Sequence, residues 1–253
     1  MRVLKTISEF KQWRDGIFHG KSIGFVPTMG ALHSGHESLL KASRLKNEIT
    51  VLSIFVNPTQ FNNPDDLKNY PITMDQDLAM AKANGVDAVF VPESMEEMYP
   101  DQYRFKITEN DFSKELCGAH RPGHFDGVLT VVMKLFQLVN PTRAYFGEKD
   151  HQQLTLIKDM VSSFFLPVEI VACPTLRETS GLAMSSRNTR LTNDELKLAP
   201  KIFETITQVK NKDQATQNLK DLGFDVDYLE DRKNRRYVAA TLGKVRLIDN
   251  VEL

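Results

Sequence analysis

The chain is poor in cysteine: Cys117 and Cys173 are the only two among 253 residues. That excludes a disulfide framework and makes a reducing compartment the simpler expectation. It has no surplus of either charge. Lys and Arg number 32 against 33 Asp and Glu, a net charge of −1. An extended nucleic-acid footprint is therefore not expected, although a local basic patch remains allowed. No apolar run approaches the length that crosses a membrane. The opening residues, MRVLKTISEFKQWRD, mix charge with apolar side chains and lack the continuous apolar core of a signal peptide. No internal repeat or low-complexity tract is present. A soluble, cytoplasmic protein is expected, with one large domain or a large and a small one.

What is present centres on residues 27–36, PTMGALHSGH. The apolar run 23–26 before it reads as a buried strand. Residues 37–45 after it have helical spacing, with Leu39, Leu40 and Leu45 on or near one face. The stretch is thus a strand-to-helix turn, and in an α/β protein such turns lie at the carboxyl edge of the sheet, where ligands bind. Gly30 and Gly35 permit close approach to the backbone, and the helix start favours an anion. His33 and His36 add two imidazoles there. By themselves they could be structural turn residues. They fit zinc less well, because the zincin spacing is i, i+4 with a Glu between.

Taken in order, the chain predicts a helix over 8–18, with Phe10, Trp13 and Ile17 packed in a core. The β-branched run 49–56 predicts a strand buried on both faces, and it ends in a loop that carries Asn57 and Gln60. Residues 65–71 read as a polar loop, 73–84 as a helix with Thr73 as cap, 88–91 as a strand, and 93–100 as an irregular acidic surface segment. Residues 104–108 suggest a strand, and 112–116 a short helix stopped by Gly118. The RPGHFDG loop, 121–127, leads into an apolar helix over 128–139. Residues 143–146 form a strand ended by Gly147, Glu148, Lys149 and Asp150, which places Lys149 near the start of a helix over 151–164 and lets its ammonium reach a phosphate. A strand over 168–172 follows. Strands alternating with helices give a doubly wound parallel-sheet, Rossmann-like domain over 1–174. Beyond it, 175–181 is polar, and Ser185, Ser186 and Arg187 offer two hydroxyls and a guanidinium in succession, suited to a mobile lid over a triphosphate. A helix over 193–210 bent at Pro200, a helix over 213–222, and strands over 226–229, 237–240 and 245–248 complete a small α+β domain, 175–253. Residues 242–244 form a hairpin turn.

Five strings, PTMGALHSGH, SIFVNPTQF, RPGHFDGV, FGEKDHQQL and GLAMSSRN, stand in this order at family-like separations. Together they resemble the pantothenate synthetase (pantoate–β-alanine ligase) family, strongly over 22–190 and loosely beyond. LGKVRLIDN near the end also fits. The first string is also similar to the His-x-Gly-His signature of the wider nucleotidyltransferase superfamily. The resemblance implies that ATP and pantoate form pantoyl adenylate and pyrophosphate, and that β-alanine then gives pantothenate and AMP. It implies Mg²⁺ with ATP and a homodimer, and singles out no residue as a metal ligand. Met29, Gly30, Ala31, Leu32, His33, Ser34, Gly35 and His36 would bind ATP, with His36 the proton donor and His33 holding phosphates. Gly147, Glu148, Lys149 and Asp150 would meet the nucleotide and its phosphates, Lys149 being the chief cation. Leu176 would lie near the adenine, and Met184, Ser185, Ser186 and Arg187 on the nucleotide. Gln60 and Gln153 would hold pantoate, Gln60 also meeting β-alanine, with Arg121 and His124 at the rim. The chain departs from the family pattern at Thr59, Ile72 and His151, and its C-terminal region is short for the family.

Overall fold

A computed structural model describes residues 1–17 and 20–253. Among the described residues, six parallel strands form one sheet: β1 (Arg2–Leu4), β2 (Ile23–Thr28), β3 (Ile49–Ile54), β4 (Ala88–Phe90), β5 (Arg143–Gly147) and β6 (Glu169–Cys173), in the order β1-β4-β3-β2-β5-β6. The chain winds outward from β2 through β3 to β4, then restarts at β5 on the other side of β2. The switch point therefore lies between β2 and β5, where a parallel sheet opens its ligand crevice. The β2–β5 ladder ends at the Phe25–Ala144 pair. Pro27, which can donate no ladder hydrogen bond, sits past that end.

Both faces of the sheet are covered. Alternate residues of one strand enter different cores: Phe25 and Val51 pack in one, Val26 and Leu52 in the other. This is why those strands read as continuous apolar runs. The first core is covered by α1 (Ile7–Ile17), where Phe10 is buried, and by two later helices over 124–139 and 151–163. The second is covered by α2 (Ser34–Lys46). Short α3 (Pro64–Lys68) then precedes α4 (Met74–Ala83), which packs on α2, and α5 (Met95–Met98) and α6 (Cys117–His120) follow. The largest apolar helix, α7 (His124–Val139), is buried along most of its length and leads to β5, after which α8 (His151–Ser163) begins. The C-terminal part holds α9 (Asn193–Leu198), α10 (Lys201–Gln208), α11 (Lys212–Asp221) and an antiparallel meander of β7 (Asp225–Arg232), β8 (Arg235–Leu242) and β9 (Val245–Glu252). These pack around a third apolar cluster. No described helix is long and apolar enough to cross a membrane.

Several expectations are corrected. Leu45 is exposed, because five residues past Leu40 is about 140° around the helix. The supposed loop 65–71 contains α3, started by Asn63 and Pro64. Segment 93–100 contains α5 and buries Met98 and Tyr99. Residues 104–108 form no strand, and strand β1 was not foreseen. Gly118 lies inside α6 and does not stop a helix. A Cβ there would fall 1.8 Å from the Ser113 carbonyl oxygen, so the glycine serves close packing. Pro200 splits the helix expected over 193–210 into α9 and α10. The end of the first helix, placed at Phe18, lies outside the described residues.

Candidate active site

The turn after β2 is set by its backbone. Gly30 and Ala31 both have positive φ, 80° and 49°, and a conformation so unfavourable for alanine needs support. Asp77, buried on α4, supplies it. Its carboxylate accepts from the N–H of Ala31 at 2.9 Å and of Leu32 at 2.8 Å, and from Thr73 Oγ1 at 3.0 Å. Thr28 Oγ1 takes the Gly30 N–H at 3.2 Å. The sequence reading missed Asp77. The available signal was an acidic residue on the same helix face as the core residues Met74 and Ala81.

His33 is the N-cap of α2. Its Nδ1 accepts from the Gly35 N–H at 3.1 Å, and His36 Nδ1 accepts from the His33 N–H at 3.3 Å, a reciprocal capping box. With both Nδ1 atoms acting as acceptors, each neutral ring carries its proton on Nε2. The rings lie 4.1 Å apart. Burial, then the nearby Lys149 charge, pushes His33 down to about 4. Burial, then His33 and Lys149, pushes His36 down to about 3. Near pH 7 both are therefore neutral hydrogen-bond donors.

Lys149 lies on a 3-10 turn, Glu148–Asp150, at the end of β5. Its Nζ is 3.9 Å from Asp150 Oδ2, leaving the ammonium free to meet another anion. Gln60 closes a second 3-10 turn, Pro58–Gln60, after β3. Asn57 Nδ2 donates to Gln60 Oε1 at 3.0 Å and to the Gly127 carbonyl at 3.2 Å, while Gln60 Nε2 contacts Met29 Sδ at 3.2 Å. The Gln60 carbonyl is bound by His124 Nδ1 at 2.8 Å and Arg121 Nη2 at 3.1 Å. Arg121 and His124, from the RPGHF string, thus brace the Gln60 turn. Burial, then the Arg121 charge, pushes His124 down to about 3.

Residues 176–187 fold back on themselves through an antiparallel bridge between Arg177 and Ala183. Met184 N–H donates to the Leu176 carbonyl at 3.0 Å. Ser185 caps a 3-10 turn, Ser186–Arg190, and Ser186 Oγ meets the Tyr70 hydroxyl at 3.2 Å. Arg187 pairs with Asp66 of α3 at 2.8 Å, and Arg190 pairs with the same carboxylate at 2.7 Å. Burial would raise the Asp66 carboxyl, but the hydrogen bonds and charges of the two arginines outweigh it and hold the group below its usual range.

These segments meet at one cavity of about 230 Å³ at the switch point. Met29, His33, Gly35, His36, Gln60, Gly147, Lys149, Asp150, Gln153, Leu176, Met184, Ser185, Ser186 and Arg187 all line it. Asn57 and Tyr70 join them, and Val128, Val131, Val132 and Leu135 of α7 form a hydrocarbon wall. Gly30, Ala31, Leu32, Ser34 and Glu148 are not among its lining residues. They shape the turns behind it, and the N–H groups of Gly30, Ala31 and Leu32 are already engaged by Thr28 and Asp77. A wider cleft of about 850 Å³ adjoins the cavity through Lys149, Asp150, Ser185 and Arg187 and is lined further by Arg121 and Arg246. Two cations, two neutral imidazole donors and two hydroxyls suit a polyanion, and the amides of Gln60 and Gln153 suit a substrate with hydroxyl groups. No group of three or more His, Cys, Asp or Glu among the described residues is arranged to hold a metal.

Comparison with known proteins shows the family and the fold. The family model described as pantoate-beta-alanine ligase matches residues 2–252. The chain is 61% identical over 252 residues to a pantothenate synthetase of Bdellovibrio bacteriovorus, covering 100% of this chain and 99% of the relative. It is 50% identical to one from Legionella pneumophila, covering 99% of each. Among solved structures, the pantoate-beta-alanine ligase of Francisella tularensis, complexed with beta-gamma ATP and beta-alanine, superposes with a TM-score of 0.96 at 43% identity, covering 100% of this chain and 97% of that one. The pantothenate synthetase of Thermus thermophilus gives 0.90 at 38% identity, covering 100% of this chain and 99% of that one.

Proposed function

The chain belongs to the pantoate-beta-alanine ligase family, and from that premise we propose that it joins pantoate to β-alanine through a pantoyl adenylate made from ATP. One observation carries the reading: three segments remote in sequence bring His33 and His36, Lys149, and Ser185 to Arg187 to one cavity that also holds Gln60 and Gln153. Residues 1–174 would bind ATP and pantoate, and 175–253 would supply the closing lid.

In the first step a pantoate carboxylate oxygen attacks the α-phosphorus of ATP. The bond from that phosphorus to the bridging oxygen of the β-phosphate breaks, and pyrophosphate leaves. The nucleophile is ionised near pH 7 and needs no base. The obstacle is the meeting of two anions, so catalysis rests on placement and on positive charge. Lys149 and Arg187 supply cations, and Ser185, Ser186 and the Nε2–H groups of His33 and His36 supply donors. A bound triphosphate raises the pKa of the neighbouring His36 imidazole, favouring proton donation as pyrophosphate departs. Asp66, which holds Arg187, releases it to the stronger anion. Gln60 and Gln153 orient pantoate by neutral hydrogen bonds, leaving its carboxylate unclamped. Asp150, a carboxylate lining the cavity, would face magnesium bound with ATP, which would neutralise phosphate charge. In the second step the amine nitrogen of β-alanine, after losing a proton, attacks the acyl carbon. The bond from that carbon to the phosphate oxygen breaks, and AMP leaves.

The test is product formation with each substrate omitted in turn. AMP and pantothenate should appear only when ATP, pantoate and β-alanine are all present. AMP formation indifferent to β-alanine, or a stable adenylate as final product, would overturn the reading in favour of a nucleotidyltransferase.

A further inference from the structure

Two consecutive residues near the end of the chain, Asp249 and Asn250 of β9, reach two different parts of the candidate site. Neighbours on a strand point to opposite sides, and here both sides are enclosed: each residue is 5% exposed. Asn250 Nδ2 donates to the Glu148 carbonyl at 3.0 Å and the Lys149 carbonyl at 2.9 Å. Its Oδ1 accepts from Arg235 Nη1 at 2.6 Å, which determines the orientation of the amide, since only its oxygen can face a guanidinium. Both amide hydrogens are thereby directed at the turn that carries Lys149. Asp249 takes the Arg177 guanidinium through two hydrogen bonds of 2.6 and 2.9 Å. That guanidinium also donates to the Gly181 carbonyl at 3.1 Å and stacks 3.6 Å from the Phe203 ring centroid. Arg177 and Ala183 bound the fold-back that delivers Met184 to Arg187.

We propose that Asp249 and Asn250 are positioning residues for adenylate formation: one peptide unit of β9 sets the separation between the Lys149 turn and the Ser185-Ser186-Arg187 loop, so that groups from both meet the same triphosphate. The inference rests on the reading of the cavity as the ATP site. Neither side chain is among the residues lining the smaller cavity, although Asp249 lines the wider cleft, and each acts through the segment it grips. Misplacing a phosphate-binding group by an ångström is enough to slow such a step by about a hundredfold.

The experiment is pantoate-dependent exchange of labelled pyrophosphate into ATP, run on the wild-type chain, Asn250→Ala, Lys149→Ala and the double variant. Asn250→Ala should lower the exchange rate by about 10- to 100-fold. Its KM for pantoate should stay within about twofold and its melting temperature within a few degrees of wild type. In the Lys149→Ala background the same change should cost less than about threefold, because two substitutions acting through one ammonium do not add. An amide that only stabilises the fold would lower the rate equally in both backgrounds, or lower the melting temperature and leave the rate alone. Either result overturns the proposal. If Asn250→Ala does not fold, Arg235→Met carries the test by leaving the amide in place but unoriented. It should slow exchange by about three- to tenfold, and unchanged exchange in it overturns the proposal. Wild-type protein without pantoate-dependent exchange would remove the reading of the site as well. Wild-type exchange matched by Asn250→Ala removes this proposal alone.

Discussion

His36 and His124 illustrate how single residues couple this site to pH. Burial is the leading cause that holds each at about 3. The same cause holds His33 and His151 at about 4. In the unfolded chain imidazoles titrate near 6.5. Between those values the unfolded state binds more protons than the folded one, so stability falls as pH drops. Each histidine contributes up to about 1.4 kcal/mol per pH unit below about 6.5, and no slope well above it. Thermal melts from pH 7.5 to 5.5 should show a falling melting temperature below about 6.5, with a shallower slope in His124→Gln. A melting temperature flat across that range would contradict the assignment. At this scale, the convergence of His33, His36 and Lys149 on one cavity was legible, because strand-to-helix turns open at the carboxyl edge of a parallel sheet. Asp77 was not. A carboxylate that braces a turn more than forty residues away shows in sequence only as an acidic residue in step with the core positions of its helix.

Among the elements, α7 bears most directly on the turn that carries Gln60. Gly127 in its first turns packs against the Pro58–Gln60 turn so closely that a Cβ would lie 2.5 Å from the Thr59 carbonyl oxygen and 2.8 Å from the Gln60 nitrogen. Gly127→Ala must therefore push the Gln60 turn away. It should raise the KM for pantoate about tenfold and cost about 1–3 kcal/mol of stability, the usual penalty of overpacking. Steady-state kinetics with pantoate varied against ATP varied checks this, and an unchanged pantoate KM would show that Gln60 does not hold that substrate. Element type was legible where the pattern was strong, as in the continuous apolar run of β3 and the helical spacing of α1. Boundaries failed where a residue had a tertiary duty. Gly118 reads as a stop but is a packing contact, and the RPGHF string reads as a loop although His124 already belongs to the helix.

At the scale of the whole molecule, alternating strands and helices made the doubly wound sheet legible, and the switch point follows from that topology alone. The service of the C-terminal meander to the site was not legible, because its two working residues lie about a hundred positions from the turn that one of them grips. Topology also places α7 so that Val128, Val131, Val132 and Leu135 border the cavity. A mixed anhydride of carboxylic and phosphoric acids is prone to hydrolysis, and water bordered by four hydrocarbon side chains finds no polar anchor from which to attack it. On the proposed mechanism the valine-lined wall bears on fidelity as well as packing: it would favour an intermediate that waits for the amine without leaking back to free acid. With β-alanine saturating, one pyrophosphate should be released per pantothenate formed. In Val131→Ser that ratio should rise above one, and a ratio that stays at one would show that the wall does not guard the anhydride.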